Sequence, residues 1–106
     1  MSRFSDIVAR LDAVIASRKG ADPASSYTAK LLAGGPSLAA KKFGEEAIET
    51  MLAVMIGEKD RVAAESADLV YHWLVVLAAA GVSLDDVAAQ LEAREGTSGI
   101  EEKAGR

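Results

Sequence analysis

The amino-acid sequence predicts an all-α protein, built as a bundle of about five helices. Half of the 106 residues are apolar and 21 are alanine, the residue with the highest helix propensity, whereas only two are proline. Apolar residues recur at helical spacing in most segments between the glycines. A chain of this length has room for one hydrophobic core, so we expect residues 1–106 to form a single domain.

The first two helices are separated by a short loop. The first is predicted over residues 4–19, where a basic last turn is followed by Gly20. Residues 21–25 surround a proline and are predicted to form the loop. A short helix then covers Tyr27–Ala33, with Ser26 as its N-cap, and the Gly-Gly-Pro run that follows ends it.

Two longer helices follow and are predicted to form a hairpin. The third covers residues 37–56 and ends at Gly57, and the fourth covers residues 60–80 and ends at Gly81. Because the connection between them is short, we expect them to pack side by side in opposite directions.

A fifth helix is predicted over residues 83–94. Ser83 and Asp86 are spaced as in a capping box, with Asp in place of the usual Glu. Residues 95–106 hold three of the nine glycines and are predicted to form a loop.

The second half of the fourth helix, residues 69–80, is apolar on nearly every side. A helix of this kind must be covered on every side. Four other helices in so short a chain offer limited cover, and we therefore expect a homodimer with residues 69–80 at its interface. The alternative is one central helix that the rest of the chain wraps.

Composition excludes several classes of function. Cysteine is absent, which excludes disulfides and thiolate chemistry, and the one histidine, His72, cannot form a histidine-rich zinc site. The net charge of −4 argues against a nucleic-acid partner. Residues 69–80 are shorter than the roughly 20 apolar residues of a membrane span, and the N-terminus lacks the apolar core of a signal peptide. We expect a cytoplasmic protein with no membrane partner.

Acidic residues repeat at helical spacing on both helices of the predicted hairpin. Glu46 and Glu49 share one face of the third helix, with Glu45 beside them, and Glu65 and Asp68 share one face of the fourth. In an antiparallel hairpin centred on the glycine at position 57, Glu46 lies opposite Asp68 and Glu49 opposite Glu65. Four carboxylates this close repel one another unless cations neutralise them. Oxygen ligands of this kind suit Mg²⁺, with Mn²⁺ as a possible substitute.

Basic and aromatic residues near the acidic groups allow two interpretations each. Lys41 and Lys42 lie one turn before Glu45 and Glu46, where they either form helix salt bridges or contact substrate phosphates. His72 lies one turn after Asp68 and is either a substrate contact, a partner of that carboxylate or a core residue. The neighbouring tyrosine and tryptophan are expected in the core or an interface.

These residues resemble a known family. The pattern Glu-Glu-x-x-Glu at positions 45–49, followed by Glu-x-x-Asp at positions 65–68, resembles the signature of the MazG-like superfamily of all-α nucleoside triphosphate pyrophosphohydrolases. Within it, the chain is most similar to the phosphoribosyl-ATP pyrophosphatase family of histidine biosynthesis. The further residues that narrow the resemblance are Ser26-Tyr27-Thr28, the run from Lys41 to Ala47, the run from Glu65 to His72, and Arg94.

The resemblance implies a helical dimer that hydrolyses phosphoribosyl-ATP, between its α and β phosphates, to phosphoribosyl-AMP and pyrophosphate. The site residues then take these roles: Glu46, Glu49, Glu65 and Asp68 as Mg²⁺ ligands; Glu45 as the group that orients or deprotonates water or binds a second metal; Lys41, Lys42 and Arg94 as phosphate contacts; and Ser26, Tyr27, Thr28 and His72 as further substrate contacts.

Two other functions remain open. A general house-cleaning pyrophosphohydrolase of free nucleotides would share the carboxylates without needing the Ser-Tyr-Thr element. A non-enzymatic helical binding module, similar to an antitoxin, would carry acidic stripes for solubility alone. Magnesium-dependent release of pyrophosphate distinguishes an enzyme from the second of these.

Overall fold

The computed structural model describes residues 2–96, and the elements in this part of the chain are all α-helices. The prediction of an all-α fold is therefore confirmed. In chain order the helices are α1 (Arg3–Ser17), α2 (Tyr27–Ala33), α3 (Gly35–Ile56), α4 (Lys59–Ala80) and α5 (Leu84–Ala93). The predicted loop over residues 95–106 lies, from residue 97 on, outside the described residues.

Helix boundaries differ from the predictions by one or two residues. Helix α1 ends at Ser17, before the predicted end, because the backbone N–H groups of Arg18 and Lys19 turn back to carbonyls three residues earlier. Helix α3 begins at Gly35 rather than at position 37, since Pro36 fits the first helical turn, where its missing N–H has no partner to lose.

The predicted caps are present. The Ser26 side chain accepts a hydrogen bond from the Ala29 N–H at the start of α2. At α5, Ser83 and Asp86 form a reciprocal capping box. Gly57 adopts a left-handed φ of 84° after α3, a conformation in which a side chain would be strained.

Helices α3 and α4 form the long antiparallel hairpin on which the rest of the fold is built, joined only by Gly57 and Glu58. Helix α2 packs against the half of the hairpin that is remote from this turn, while α1 runs along α4, with Phe4 and Ile7 near Ala63 and Ile15 in the core. The buried core lies there and is formed by Ile15, Leu31, Ala39, Leu74 and Val75.

The premise for placing a dimer interface on residues 69–80 is wrong, because the chain itself covers most of that segment. Leu74 and Val75 are fully buried, and the other residues from 69 to 79 are buried or half-buried. Half of the large apolar side chains that are exposed in the described residues lie instead on the second half of α3, and we call this group the α3 apolar patch. It comprises Ile48, Met51, Leu52, Val54, Met55 and Ile56.

Among the helices of residues 2–96, α4 is long and apolar enough to cross a membrane by length and composition alone. A core helix of a soluble protein meets the same two criteria. Leu74, Val75 and Leu77 of this helix are buried inside the bundle.

Candidate metal and substrate site

Three carboxylates meet across the α3–α4 hairpin. Glu46 and Glu49 project from adjacent turns of α3, and Glu65 projects from α4. One oxygen from each of the three lies within 4.8 Å of the others. The two-residue turn between α3 and α4 sets how the two helices align, because residues at equal distances from the turn lie at the same level along the hairpin.

Asp68 lies outside this group of three, although the sequence predicted it as a fourth member. Its negative charge still acts on Glu46 and Glu65, so it borders the cluster. Its side chain is exposed.

Two oxygens of the cluster are in an unfavourable environment. The Oε2 atoms of Glu46 and Glu65 are buried and have no hydrogen-bond partner. Burial raises the pKa of Glu46, and a hydrogen bond and negative charge from Glu49 raise it further. Burial likewise raises the pKa of Glu65, with Glu49 again adding to the effect. A buried, unpartnered carboxylate oxygen is destabilising unless a proton or a cation compensates it.

The donor set fits a hard divalent cation. All three convergent groups are carboxylates, and in residues 2–96 no cysteine or histidine belongs to the group. Mg²⁺ and Mn²⁺ prefer oxygen ligands of this type. Glu46, Glu49 and Glu65 are therefore suited to hold such an ion, with Asp68 next to them.

Lys41 and Lys42 precede the cluster on α3, and Lys42 pairs with a different glutamate from the one that i,i+4 spacing suggested. The Nζ atom of Lys42 lies 3.4 Å from Oε2 of Glu45, three residues later, rather than on Glu46. Both side chains are partly exposed, so this ion pair contributes less than about 1 kcal/mol. Lys41 is exposed on the same turn.

The start of α2 contacts α4 through two side chains. The hydroxyl of Tyr27 lies 3.3 Å from Nε2 of His72, and Oγ1 of Thr28 lies 2.5 Å from the hydroxyl of Tyr71. The preceding serine, Ser26, uses its hydroxyl to cap the helix.

Tyr27 is the member of this group that faces both solvent and the charged residues. Its side chain is about half exposed. Partial burial raises the pKa of its phenol, the charge of Lys42 lowers it, and the charges of Glu46 and Glu45 raise it. Its position links the α2 start to the carboxylates.

His72 is a buried polar residue, 6% exposed, and its hydrogen bond goes to the main chain. Its Nδ1 lies 2.7 Å from the backbone carbonyl oxygen of Asp68, which can only accept, so Nδ1 carries a proton. In the neutral ring, Nε2 then accepts from the Tyr27 hydroxyl. The predicted alternative in which it bonds the Asp68 carboxylate is not what the structure shows.

Arg94 is the C-cap residue of α5 and is exposed. Its role as a phosphate contact stays a prediction.

Sequence reasoning missed two residues near the site. Tyr71 was assigned to the core or an interface, and its ring does pack against the core, but its hydroxyl bonds Thr28. The signal was available, because a tyrosine in an apolar helix needs a partner for its hydroxyl. Arg61, one turn before Glu65, lowers the pKa of that glutamate and opposes the effect of burial.

A helix hairpin with convergent carboxylates, flanked by lysines, has the arrangement expected of an all-α pyrophosphohydrolase. Comparison with known families agrees with this class. The family model of phosphoribosyl-ATP pyrophosphohydrolase matches residues 8–95. The chain belongs to that family.

Close relatives cover nearly the whole chain. A phosphoribosyl-ATP pyrophosphatase of Caulobacter vibrioides (strain NA1000 / CB15N) is 64% identical over 98% of this chain and 96% of its own length. Proteins of the same name are 60% identical in Caulobacter sp. (strain K31), over 100% of this chain and 98% of the relative, and 58% identical in Cereibacter sphaeroides (strain KD131 / KCTC 12085), over 94% and 97%.

Proposed function

We propose that this protein hydrolyses phosphoribosyl-ATP to phosphoribosyl-AMP and pyrophosphate in a Mg²⁺-dependent reaction, the second step of histidine biosynthesis. The observation that carries the proposal is the three-carboxylate cluster of α3 and α4, with two buried oxygens that lack partners, in a member of this family. The name shared by relatives 58–64% identical supports the choice of substrate.

The carboxylates would hold the metal ion. Glu46, Glu49 and Glu65 supply convergent oxygens, and Asp68 borders them and adds negative charge. When bound, Mg²⁺ or Mn²⁺ supplies positive charge to phosphate oxygens and lowers the pKa of a bound water. Metal binding requires the carboxylates to be ionised. Because the pKa values of Glu46 and Glu65 are raised, metal binding should depend on pH.

The remaining residues of the site act on water and on the phosphates. Glu45, exposed and adjacent in sequence to Glu46, is proposed to orient the attacking water and accept its proton, or to bind a second metal ion. Lys42 already lies against a carboxylate, and in the complex its ammonium group would contact phosphate oxygens together with Lys41. Arg94 is the third proposed phosphate contact.

The α2 start would face the nucleotide. Tyr27 presents a half-exposed ring beside Lys42 and Glu46, which suits contact with the substrate. Ser26, Thr28 and His72 are proposed to act at the same end of the site, and their hydrogen bonds within the protein limit how freely they move.

The proposed assembly is a homodimer of one-domain subunits in the cytoplasm, with no membrane or nucleic-acid partner. Six exposed large apolar side chains between Ile48 and Ile56 of one helix suit a protein–protein interface. The carboxylate cluster begins on the same helix, so the dimer would place the site near the subunit boundary.

A substrate panel tests the proposal. The purified protein is given phosphoribosyl-ATP, ATP, dCTP or dUTP, with and without MgCl₂, and released pyrophosphate is measured. We expect Mg²⁺-dependent release from phosphoribosyl-ATP at a kcat/KM at least about tenfold above the free nucleotides. Preference for a free nucleotide would replace the proposal with a house-cleaning activity, and no release from any substrate would favour a binding module.

A further inference from the structure

The short helix α2 depends on α4 for its position. It has seven residues, fewer than an isolated helix needs for stability in water. Only Ala29 and Leu31 of this helix are buried, and Ala29, the one in its first turn, buries a single methyl group. The side-chain bonds of Tyr27 and Thr28 to α4 are therefore a large part of what holds that turn.

The two bonds differ in strength. The Thr28–Tyr71 oxygen pair is 2.5 Å apart, a short distance for two hydroxyls, whereas the Tyr27–His72 pair is 3.3 Å apart, at the long end for a hydrogen bond. The Tyr71 bond is thus the stronger anchor. The Tyr71 ring is itself held in place, because it packs against the core and lies edge-on to the His72 ring with centroids 4.9 Å apart.

We propose that Tyr71 is a positioning residue: by its hydrogen bond to Thr28 it fixes the first turn of α2, and with it the half-exposed ring of Tyr27 that lies against His72. This inference rests on the proposed function, since it assumes that substrate binds between that ring and the carboxylates. Tyr71 acts through Thr28, and its ring is also stacked on the Tyr27 ring with centroids 6.4 Å apart, a contact that Tyr71→Phe keeps.

The expected consequence is an effect on substrate binding rather than on turnover. If the first turn of α2 is fixed for only part of the time, the apparent affinity falls by that fraction. A complex that has formed is already in the binding-competent arrangement, so its rate of turnover is unchanged. A purely structural role would lower the melting temperature but leave the KM of the folded molecules as it was.

The test compares Tyr71→Phe and Thr28→Val, which each remove one hydroxyl, with the double variant. We expect each single variant to raise KM for phosphoribosyl-ATP about two- to fivefold with kcat unchanged, the fivefold limit being the loss of one ordinary hydrogen bond. Because both remove the same bond, the double variant should have the KM of the singles. Thr28→Ser keeps the hydroxyl that bonds Tyr71, so the amides of α2 should exchange at the same rate as in the unsubstituted protein. Ser17→Ala removes an exposed hydroxyl bond at the end of α1 and serves as the matched control.

Amide hydrogen exchange gives a readout that does not depend on activity. In Tyr71→Phe the amides of α2 should exchange about fivefold faster, while those of α5 are unchanged. An unchanged KM together with unchanged α2 exchange would overturn the proposal, and so would additive effects in the double variant. If the unsubstituted protein releases no pyrophosphate from phosphoribosyl-ATP, the proposed function fails, and the exchange result alone then decides whether Tyr71 holds α2.

Discussion

Glu46 on α3 and Glu65 on α4 face each other across the helix hairpin, and each has one buried carboxylate oxygen with no hydrogen-bond partner. The two helices thus bring together groups that destabilise the metal-free fold when both are ionised. Repulsion between the two carboxylates lowers the free energy of unfolding of the metal-free protein, and a bound cation raises it again.

This relationship predicts how the stability of the metal-free protein depends on pH. The folded pKa values of Glu46 and Glu65 are raised, chiefly by burial, so the folded state binds protons more tightly than the unfolded chain does. Their effect on stability is therefore most favourable below the ordinary carboxyl pKa, and it is lost as the pH rises through the raised values. Melting curves recorded in EDTA from pH 4 to pH 8 should show this decline.

Glu46→Gln is the variant that checks the assignment, because an amide does not titrate. We expect its melting temperature in EDTA to fall less steeply over the same pH range than that of the unsubstituted protein. Identical slopes for the two proteins would show that Glu46 is not a source of the pH dependence. Added MgCl₂ should reduce the decline in the unsubstituted protein only, since metal binding favours ionised carboxylates.

The two lysines before the cluster are expected to affect substrate handling more than folding. Replacing both Lys41 and Lys42 with Ala should lower kcat/KM for phosphoribosyl-ATP about ten- to hundredfold, the range for loss of charged hydrogen bonds. The melting temperature should change little, because the Lys42–Glu45 ion pair is exposed. Replacing Lys19 and Lys59, two exposed lysines elsewhere, makes the same change in net charge. Equal activities in the two double variants would remove Lys41 and Lys42 from the site.

The α3 apolar patch is expected to be the dimer interface. Light scattering should give twice the 11.0 kDa chain mass at micromolar concentration. Met55 is 79% exposed and Leu52 is 49% exposed, so introducing glutamate at both positions should produce monomers without disturbing the core. Leu91→Glu on α5, where the side chain is 62% exposed, is the control and should stay dimeric. A mass of 11.0 kDa for the unsubstituted protein across a dilution series would contradict the dimer.

Much of the fold followed from local signals in the sequence. The glycines, the Ser caps and the helical spacing of apolar residues act over a few residues each, and the five helices were predicted within one or two residues of their ends. The convergence of Glu49 and Glu65 also followed, because a two-residue turn leaves little freedom in register.

Features that depend on tertiary packing were not predictable in the same way. Whether the chain itself covers residues 69–80 depends on how α1 and α2 pack, which helical periodicity does not specify. The choice of Lys42 between two neighbouring glutamates depends on rotamers, and i+3 and i+4 spacings are equally compatible with contact. The Thr28–Tyr71 bond joins residues 43 positions apart, and no local pattern encodes it.

Gly57, at the hairpin turn, and Gly44, inside α3, should respond to alanine in opposite ways. Gly57 has a φ of 84°, so Gly57→Ala strains the backbone of the hairpin turn and should destabilise the fold by about 1 kcal/mol. Gly44 lies inside the helix, and an added methyl group meets no atom within 4 Å. Gly44→Ala should therefore stabilise the fold by about 1 kcal/mol. Urea denaturation of both variants measures the two effects, and destabilisation by both would contradict the open space at Gly44.

Glu49→Gln tests the metal site most directly. Glu49 contacts both Glu46 and Glu65, and its charge raises the pKa of each. Glutamine keeps the shape, removes one charge and supplies an amide N–H₂ donor to the oxygens of its neighbours. In EDTA the variant should therefore melt at the same temperature as the unsubstituted protein or above it.

With MgCl₂ the order of the two proteins should reverse, because a neutral amide is a poorer ligand for a hard cation than a carboxylate is. The unsubstituted protein should gain melting temperature on adding the metal, while Glu49→Gln gains little and loses pyrophosphate release by orders of magnitude. Glu92→Gln, a neutralised exposed carboxylate on α5, is the control and should retain both responses. If Glu49 were only structural, its variant would melt lower with or without metal, and activity would fall only in proportion to the folded fraction. Near-normal turnover in Glu49→Gln would end the assignment of this glutamate as a metal ligand, whatever the melting curves showed.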